Sequence, residues 1–337
     1  MRPSAFVLAT LFCFAATLAQ AAGVRFFDVP ADTAGPALTG AVWYPCATPQ
    51  QETKIDGGVI GFGGSDLGFV VGAKDCPIVG DKLPLIVVSH GRAGWFGANK
   101  HTAAVLADAG FVVAAINHPG DTASDQSRVD ELSVLAERPA DIKRLVDFML
   151  EAWPDTPKID RERIGLFGFS MGGYTGLVVI GGNPALLNGV AGCEGNDFRA
   201  CEQLRNNETP GAPTHDPRVR AAVIVDPAPA FVFPADNLKA VTIPIQLWSS
   251  DPKLGKSHVA GCCASGIRNR LPSKPDYHVA SNAIHFSFLA PCSPEEKQNF
   301  PRICVDAPGF DRVAFHKEFH ADVLAFFRKY LVGDEKP

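Results

Sequence analysis

A serine near the middle of the chain stands between two glycines at a spacing that suits a nucleophile. Residues 168–172 read Gly-Phe-Ser-Met-Gly, which matches the G-x-S-x-G pattern with Ser170 at its centre. Apolar runs on both sides predict a buried strand before the serine and a buried helix after it. A sharp turn between them would expose the hydroxyl of Ser170, which could attack an electrophilic carbon once a base accepts its proton. The alternative is a glycine-rich turn that matches by chance.

Such a serine needs a base, and the best candidate is His285, which follows the last predicted strand. Where a G-x-S-x-G serine acts together with an acid and a histidine, the histidine comes last along the chain. His90 stands upstream of the serine, and we therefore expect it to bind backbone groups rather than to act as the base.

Two aspartates are candidates for the acid that would orient the histidine. Asp226 ends a buried apolar run, and Asp251 follows the next predicted strand. Either strand end could bring a carboxylate to the same imidazole, and either aspartate could instead simply start a turn. We favour Asp226, because the apolar run before it predicts a buried carboxylate paired with a histidine, and Asp251 is the alternative.

Backbone N–H groups near the serine could hold a negative charge that develops on oxygen. Residues 89–94 read Ser-His-Gly-Arg-Ala-Gly and follow another predicted strand, where a turn can aim N–H groups into the site. We expect an oxyanion hole made by the N–H of Arg92 and by the N–H of Met171, at the start of the helix after the serine.

These residues need a sheet whose strand ends meet at one edge. Strands alternate with helices along the chain, which predicts an α/β protein with a mainly parallel central sheet and helices on both faces. Buried strands are expected over 83–89, 111–116, 164–169, 219–226, 243–248 and 277–280, and an antiparallel pair over 24–29 and 38–45. Helices are expected over 100–109, 140–153 and 311–331, the last with Val313 on its apolar face and His316 on its polar side.

The composition is that of an ordinary globular protein. The chain has 337 residues, of which 46% are hydrophobic and 20% charged, enough for one large α/β domain, which we expect over 22–337. Residues 184–218 break the alternation and read as an insertion, either a partial lid over the site or a surface loop. The net charge of −5 and the lack of a basic run argue against a nucleic-acid partner.

The first 21 residues read as a secretory signal peptide. Arg2 precedes an apolar run over 5–16, and Ala19-Gln20-Ala21 then predicts cleavage after Ala21. The run is shorter than the roughly 20 residues that a membrane span needs, so no stable span is expected. The mature protein is therefore expected to be secreted or periplasmic.

The cysteines predict disulfides. Nine are present, and removal of Cys13 with the signal leaves an even number in an exported chain. Cys262 and Cys263 would join each other or exchange partners, and local spacing suggests the pairs Cys46–Cys76, Cys193–Cys201 and Cys292–Cys304. A metal site is the competing interpretation, but no C-x-x-C pair with matching histidines occurs, and we expect neither a metal nor an organic cofactor.

Taken together, these segments resemble the α/β-hydrolase superfamily, and within it the plasma-type platelet-activating-factor acetylhydrolases and the bacterial predicted dienelactone hydrolases. The resemblance covers nearly all of the mature chain. It rests on the serine turn with its second glycine, on the 89–91 turn, and on the segments 117–121 (Asn-His-Pro-Gly-Asp), 284–292 and 308–311.

The resemblance implies an α/β-hydrolase fold and a serine esterase with a Ser-His-Asp triad, which needs no cofactor. Its substrate would be a small-molecule ester with a short or medium acyl chain, as in lipid degradation. In the acetylhydrolases the acid matches Asp226, whereas in most other α/β-hydrolases it matches Asp251. True dienelactone hydrolases use a cysteine where this chain has Ser170, so lactone specificity is not implied. A peptidase or amidase of the same fold, and a non-catalytic binding protein on this scaffold, are the rival functions.

Overall fold

The computed structural model describes residues 21–55, 68–187, 199–254 and 264–333. Its strands are β1 (Ala21–Val29), β2 (Leu38–Cys46), β3 (Glu52–Lys54), β4 (Phe69–Val71), β5 (Ala73–Lys74), β6 (Leu83–Ser89), β7 (Val112–Ile116), β8 (Ile159–Phe169), β9 (Val219–Val225), β10 (Ile245–Ser249) and β11 (Asp276–Val279). Its α-helices are α1 (Lys100–Asp108), α2 (Leu132–Glu151), α3 (Met171–Val179), α4 (Arg199–Arg205), α5 (Ala264–Arg270), α6 (Pro294–Asn299), α7 (Pro301–Cys304) and α8 (Arg312–Phe327).

Nine of these strands form one sheet in the order β11-β10-β9-β8-β6-β7-β2-β1-β5. Strands β6 to β11 run parallel to one another, whereas β2 runs antiparallel to both β1 and β7. Strands β3 and β4 form a separate antiparallel pair. The prediction of a mainly parallel sheet with an antiparallel pair is confirmed, and the pair is β1 and β2.

Apolar residues cover both faces of the sheet. Successive residues of a strand point to opposite faces, and every residue of β6 is buried. Leu85 and Val87 belong to a core cluster that also contains residues of α2 and α3, while Ile86 and Val88 belong to a second cluster with residues of α1 and α8. The sheet therefore lies between two helical layers, which confirms the predicted architecture, and the carboxyl ends of β6, β8 and β9 share one edge.

Helix α2 begins at Leu132, eight residues before the predicted start at 140. Pro139 lies inside the helix, where its lack of an N–H leaves the carbonyl of Leu135 without its usual partner. The hydroxyl of Tyr174 on α3 donates to that carbonyl at 3.4 Å, which replaces the missing hydrogen bond. A hydrogen bond from another helix thus compensates for the one that Pro139 cannot make inside α2.

Helix α8 differs from its predicted pattern in which residues are buried. Its buried stripe contains His316, Phe319 and Val323, and Val313 lies off that stripe with 55% of its surface exposed. His316 tolerates burial because its Nε2 bonds the carbonyl of Ser287 at 3.0 Å. After Phe327 the helix continues as one π-helical turn over Arg328–Val332.

Two of the predicted disulfides, Cys46–Cys76 and Cys292–Cys304, are present. Cys201 is also disulfide-bonded, and its predicted partner Cys193 lies outside the described residues, as do Cys262 and Cys263. Disulfides of this kind are typical of oxidising compartments. The predicted signal peptide, apart from Ala21, also lies outside the described residues and stays a prediction.

The predicted insertion over 184–218 is described in part. Helix α4 contacts the start of α2, where the N–H of Leu132 donates to the Gln203 side chain at 3.0 Å. Residues 188–198 lie outside the described residues, so the role of this segment as a lid stays a prediction. Within the described ranges, every helix is too short or too polar to cross a membrane.

Candidate active site

Ser170 sits at a sharp turn between β8 and α3. Its backbone has φ 55° and ψ −117°, a conformation that residues other than glycine rarely adopt. A Cβ atom at Gly172 would collide with the carbonyl oxygen of Ser89, and one at Gly168 would collide with the backbone of Gly172. The two glycines are therefore needed because the turn packs its own backbone against the end of β6.

Ser170, His285 and Asp226 form one continuous hydrogen-bonded row, which we call the catalytic row. The Oγ of Ser170 lies 2.9 Å from Nε2 of His285, and Nδ1 of His285 lies 2.7 Å from Oδ2 of Asp226. Asp226 and His285 are only 2% and 3% exposed, whereas Ser170 is partly exposed. The arrangement lets the imidazole accept a proton from the one member of the row that solvent can reach.

Ser250, which directly follows β10, holds the carboxylate of Asp226 with both its backbone and its side chain. The Oγ of Ser250 donates to Oδ2 at 2.8 Å, and the N–H of Ser250 donates to Oδ1 at 3.3 Å. Asp226 itself follows β9 with φ 42°, another strained position beside the site. These bonds orient the carboxylate toward Nδ1 of His285.

Asp251, the alternative acid, lies outside the row. Its carboxylate accepts hydrogen bonds from the N–H groups of Asn282 at 2.7 Å and Lys253 at 2.8 Å. These bonds lower the pKa of Asp251. The structure therefore places Asp251 as an anchor for the loop that leads to His285.

The turn after β6 approaches the serine closely. A Cβ atom at Gly91 would lie 3.3 Å from Cβ of Ser170, so the residue before Arg92 lies directly beside Ser170. Ala93 has φ 51° and donates its N–H to Oδ1 of Asp121 at 2.6 Å. Met171 is the first residue of α3, whose N-terminus favours negative charge. Both predicted oxyanion donors thus belong to segments that flank Ser170.

His90 bonds the backbone, as the sequence interpretation expects of it. Its Nδ1 lies 2.6 Å from the carbonyl oxygen of Gly91, and its Nε2 accepts the N–H of His118 at 3.2 Å. One ring nitrogen donates and the other accepts, which is the pattern of a neutral imidazole. Burial, and after it the charge of Arg138, lowers the pKa of His90 to about 3.

A second group of buried polar side chains lies behind this turn, and sequence reasoning missed it. It contains Ser89, His118, Asp121, Arg138 and Thr175, which are at most 1% exposed. We call these five residues the Arg138 cluster. Asp121 stands in one of the motifs that carry the family resemblance, so it offered a signal, whereas Arg138 lies in a helical stretch where a charged residue is ordinarily exposed to solvent.

His118 connects the Arg138 cluster to a further carboxylate. Its Nε2 lies 3.0 Å from Oγ of Ser89, and its Nδ1 lies 3.0 Å from Oδ2 of Asp141. Burial raises the pKa of Asp141 to about 7 and holds the pKa of His118 well below its usual range. Burial therefore opposes the charged form of both partners.

Aromatic rings border the imidazole of His285. The ring centroid of Phe169 lies 4.8 Å from that of His285, and the centroid of Phe286 lies 5.2 Å from it.

Among the described residues, no group of three or more His, Cys, Asp or Glu side chains is arranged to hold a metal ion.

Comparisons with known proteins support the fold in which this site lies. Residues 81–193 match a family model described as serine aminopeptidase, S33, a stretch that includes Arg92, Ser170 and Met171 and ends before Asp226. A solved structure titled as a ferulic acid esterase from Streptomyces cinnamoneus superposes with a TM-score of 0.64 at 18% identity, covering 96% of this chain and 93% of that one. A comparison with curated proteins gives no significant match. The chain therefore has the α/β-hydrolase fold that the sequence predicts.

Proposed function

We propose that this α/β-hydrolase-fold protein is a serine hydrolase that cleaves carboxylic esters of small molecules with short or medium acyl chains. The observation that carries the proposal is the continuous row from Ser170 Oγ through His285 to Asp226, with bonds of 2.9 and 2.7 Å. A non-catalytic scaffold has no need to keep a strained, partly exposed serine against a buried histidine-carboxylate pair.

The first half of the reaction forms an acyl-enzyme. His285 Nε2 accepts the proton of Ser170 Oγ while that oxygen attacks the ester carbonyl carbon, and the carbonyl oxygen becomes an oxyanion. Asp226 keeps the proton of the neutral ring on Nδ1 and stabilises the imidazolium that forms. The imidazolium then gives its proton to the leaving alcohol as the ester bond breaks.

The second half repeats the same steps with water. His285 accepts a proton from water, the hydroxide attacks the acyl carbon, and the proton returns to Ser170 as the carboxylic acid leaves. The N–H groups of Arg92 and Met171 would stabilise the oxyanion in both halves. Every proton in this scheme moves through groups of this chain or water.

Two likenesses, one of sequence motifs and one of fold, support an ester as the substrate class. The chain resembles acetylhydrolases and dienelactone hydrolases in its motifs, and its fold is similar to that of a ferulic acid esterase. The match to a serine aminopeptidase model favours a second candidate, cleavage of an amide or peptide bond by the same row. Parallel assays with a p-nitrophenyl ester and a peptide p-nitroanilide separate the two candidates. The predicted signal peptide and the disulfides support action outside the cytoplasm.

The test is hydrolysis of p-nitrophenyl acetate by the protein and by Ser170→Ala. We expect the wild-type chain to turn over the ester, and the variant to lose turnover by several orders of magnitude while it keeps its fold. Ser281→Ala, which changes an exposed serine outside the catalytic row, is the matched control and should keep full activity. Turnover retained in Ser170→Ala would overturn the proposed role of this residue.

A further inference from the structure

We propose that Arg138 is a positioning residue that holds the two oxyanion N–H groups at a fixed separation, acting through Asp121 and Thr175. The inference rests on the proposed function, because it assigns a task to residues that support the oxyanion hole. It gives a role to the Arg138 cluster, whose side chains, within the described part of the chain, bond one another, Asp141 and nearby backbone groups rather than Ser170, His285 or Asp226.

The first arm of the argument reaches the turn that carries Arg92. Nη2 of Arg138 donates a short hydrogen bond to the carbonyl oxygen of His90. Nη1 donates to Oδ2 of Asp121 at 2.6 Å, and Oδ1 of Asp121 accepts the N–H of Ala93 at 2.6 Å. The guanidinium therefore fixes the backbone on both sides of Arg92, directly at residue 90 and through one carboxylate at residue 93.

The second arm reaches the helix that carries Met171. Nε of Arg138 donates to Oγ1 of Thr175 at 3.1 Å, and Oγ1 of Thr175 donates to the carbonyl oxygen of Met171 at 2.9 Å. One planar group thus holds the turn after β6 and the first turn of α3 simultaneously. These are the segments that supply the two predicted oxyanion donors.

The choice of an arginine follows from this geometry. A guanidinium presents its donors in a rigid planar fork and keeps its charge, whereas the amine of a lysine is a single point on a flexible stem. Arg138 is 1% exposed and Asp121 is fully buried. The free-energy cost of removing both charges from water is therefore about as large as the gain from their mutual attraction. Such a pair is poorly explained as a source of stability and well explained as a geometric constraint.

The same helix provides a matched control. Arg144 is 6% exposed, donates from Nε to Asp32 at 3.0 Å, and donates from Nη2 to the carbonyls of Pro30 at 3.0 Å and Gly35 at 3.2 Å. It also lies 3.6 Å from Asp141. Like Arg138, Arg144 therefore bonds a carboxylate and backbone carbonyls, but these belong to the connection between β1 and β2.

The experiment compares Arg138→Lys and Thr175→Val with Arg144→Lys and Thr175→Ser. Each variant is assayed for kcat and KM with p-nitrophenyl acetate and for inhibition by an alkyl trifluoromethyl ketone, whose adduct with a serine carries an oxyanion. We expect kcat to fall about 100-fold in Arg138→Lys and about tenfold in Thr175→Val, because small displacements of preorganised donors are costly. KM should change less than threefold, and the ketone should lose affinity by the same factor as kcat.

The controls make the outcome decisive. Arg144→Lys and Thr175→Ser should keep kcat within about twofold of wild type, since the hydrogen bonds of Arg144 go to the connection between β1 and β2 and Thr175→Ser keeps the hydroxyl. Equal kcat values in Arg138→Lys and Arg144→Lys would overturn the inference, and so would a fall in kcat without a loss of ketone affinity. If Arg138→Lys does not fold, the near-isosteric Thr175→Val decides alone. A wild-type protein without esterase activity would instead overturn the proposed function.

Discussion

The catalytic row and the Arg138 cluster are two buried polar groups at the same edge of the sheet, and they bond in different ways. In the row, Ser170, His285 and Asp226 contact one another through side chains, and the row ends at an atom that solvent can reach. In the cluster, Arg138 and Asp121 contact the carbonyl of His90 and the N–H of Ala93, and their side chains stay fully enclosed.

Under the proposed function, this difference separates reacting groups from positioning groups. A group that exchanges a proton needs a partner side chain and one accessible atom, whereas a group that fixes a loop needs bonds to its backbone. Ser170, the partly exposed member of the row, should therefore control rate with little effect on folding. The cluster should affect both, because removal of one member leaves buried charges and backbone groups without partners.

The largest expected effect tests which carboxylate completes the row. Asp226→Asn should lower kcat about 10⁴-fold, because the amide would stabilise the wrong tautomer of His285 and could not stabilise its charged form. Asp251→Asn should lower kcat by less than tenfold, since Asp251 bonds the N–H groups of Lys253 and Asn282. Steady-state kinetics with p-nitrophenyl acetate measures both, and a larger loss in Asp251→Asn would reverse the assignment.

The next effect compares the two groups in stability. Arg138→Met should lower the free energy of unfolding by about 3–5 kcal/mol, because it leaves Asp121 buried without its charged partner. Ser170→Ala should change it by less than about 1 kcal/mol, since Ser170 is partly exposed. Urea denaturation at pH 7 measures both values. Similar losses in the two variants would remove the distinction between the row and the cluster.

The last comparison concerns pH and the histidines whose pKa is lowered by burial. Burial holds the pKa of His90 and His320 at about 3, that of His316 at about 4 and that of His118 well below its usual range, so these rings stay neutral in the fold. Below about pH 6.5 the unfolded chain binds protons that the fold does not, and each ring costs about 1.4 kcal/mol of stability per pH unit. Asp141 has the opposite effect on stability. Its pKa is raised to about 7, so as the pH falls it binds a proton in the folded state before it does so in the unfolded chain.

The histidines whose pKa is lowered outnumber Asp108 and Asp141, the carboxyls whose pKa is raised, so we predict that stability falls between pH 6.5 and about pH 4. Urea denaturation at several pH values measures this slope, and His90→Gln should reduce it by about 1.4 kcal/mol per pH unit. A stability that stays constant or rises over this range would contradict the neutral state of the buried rings.

Local patterns explain how much of this molecule could be predicted. Alternation of strands and helices sufficed for the sheet, and the glycine spacing around Ser170 sufficed to place a turn there. Asp226 and Asp251 could not be separated with certainty, because both follow strands, and the structure distinguishes them by the hydrogen bonds of Ser250 and Asn282. Their catalytic roles stay predictions.

Other features depend on contacts that no local pattern records. The predicted helix starts at 140, after Pro139, whereas α2 contains Pro139, and the hydroxyl of Tyr174 on another helix bonds the carbonyl that the proline leaves unpaired. His316 can be buried because the carbonyl of Ser287, which is distant in the sequence, accepts a hydrogen bond from its Nε2. A charged residue in a helix, such as Arg138, is expected to be exposed to solvent, but Arg138 is buried because the turn after β6 packs against it. Long-range hydrogen bonds overrode local preference in each case.

The most direct test of the account is covalent labelling of Ser170. The purified protein is treated with an alkyl fluorophosphonate, and the modified peptide is identified by mass spectrometry alongside that of His285→Ala. We predict a single adduct on Ser170 in the wild-type protein, and labelling slowed by several orders of magnitude in the variant, because the hydroxyl then lacks its base. An unlabelled wild-type protein, or an adduct on another residue, would contradict the proposed nucleophile.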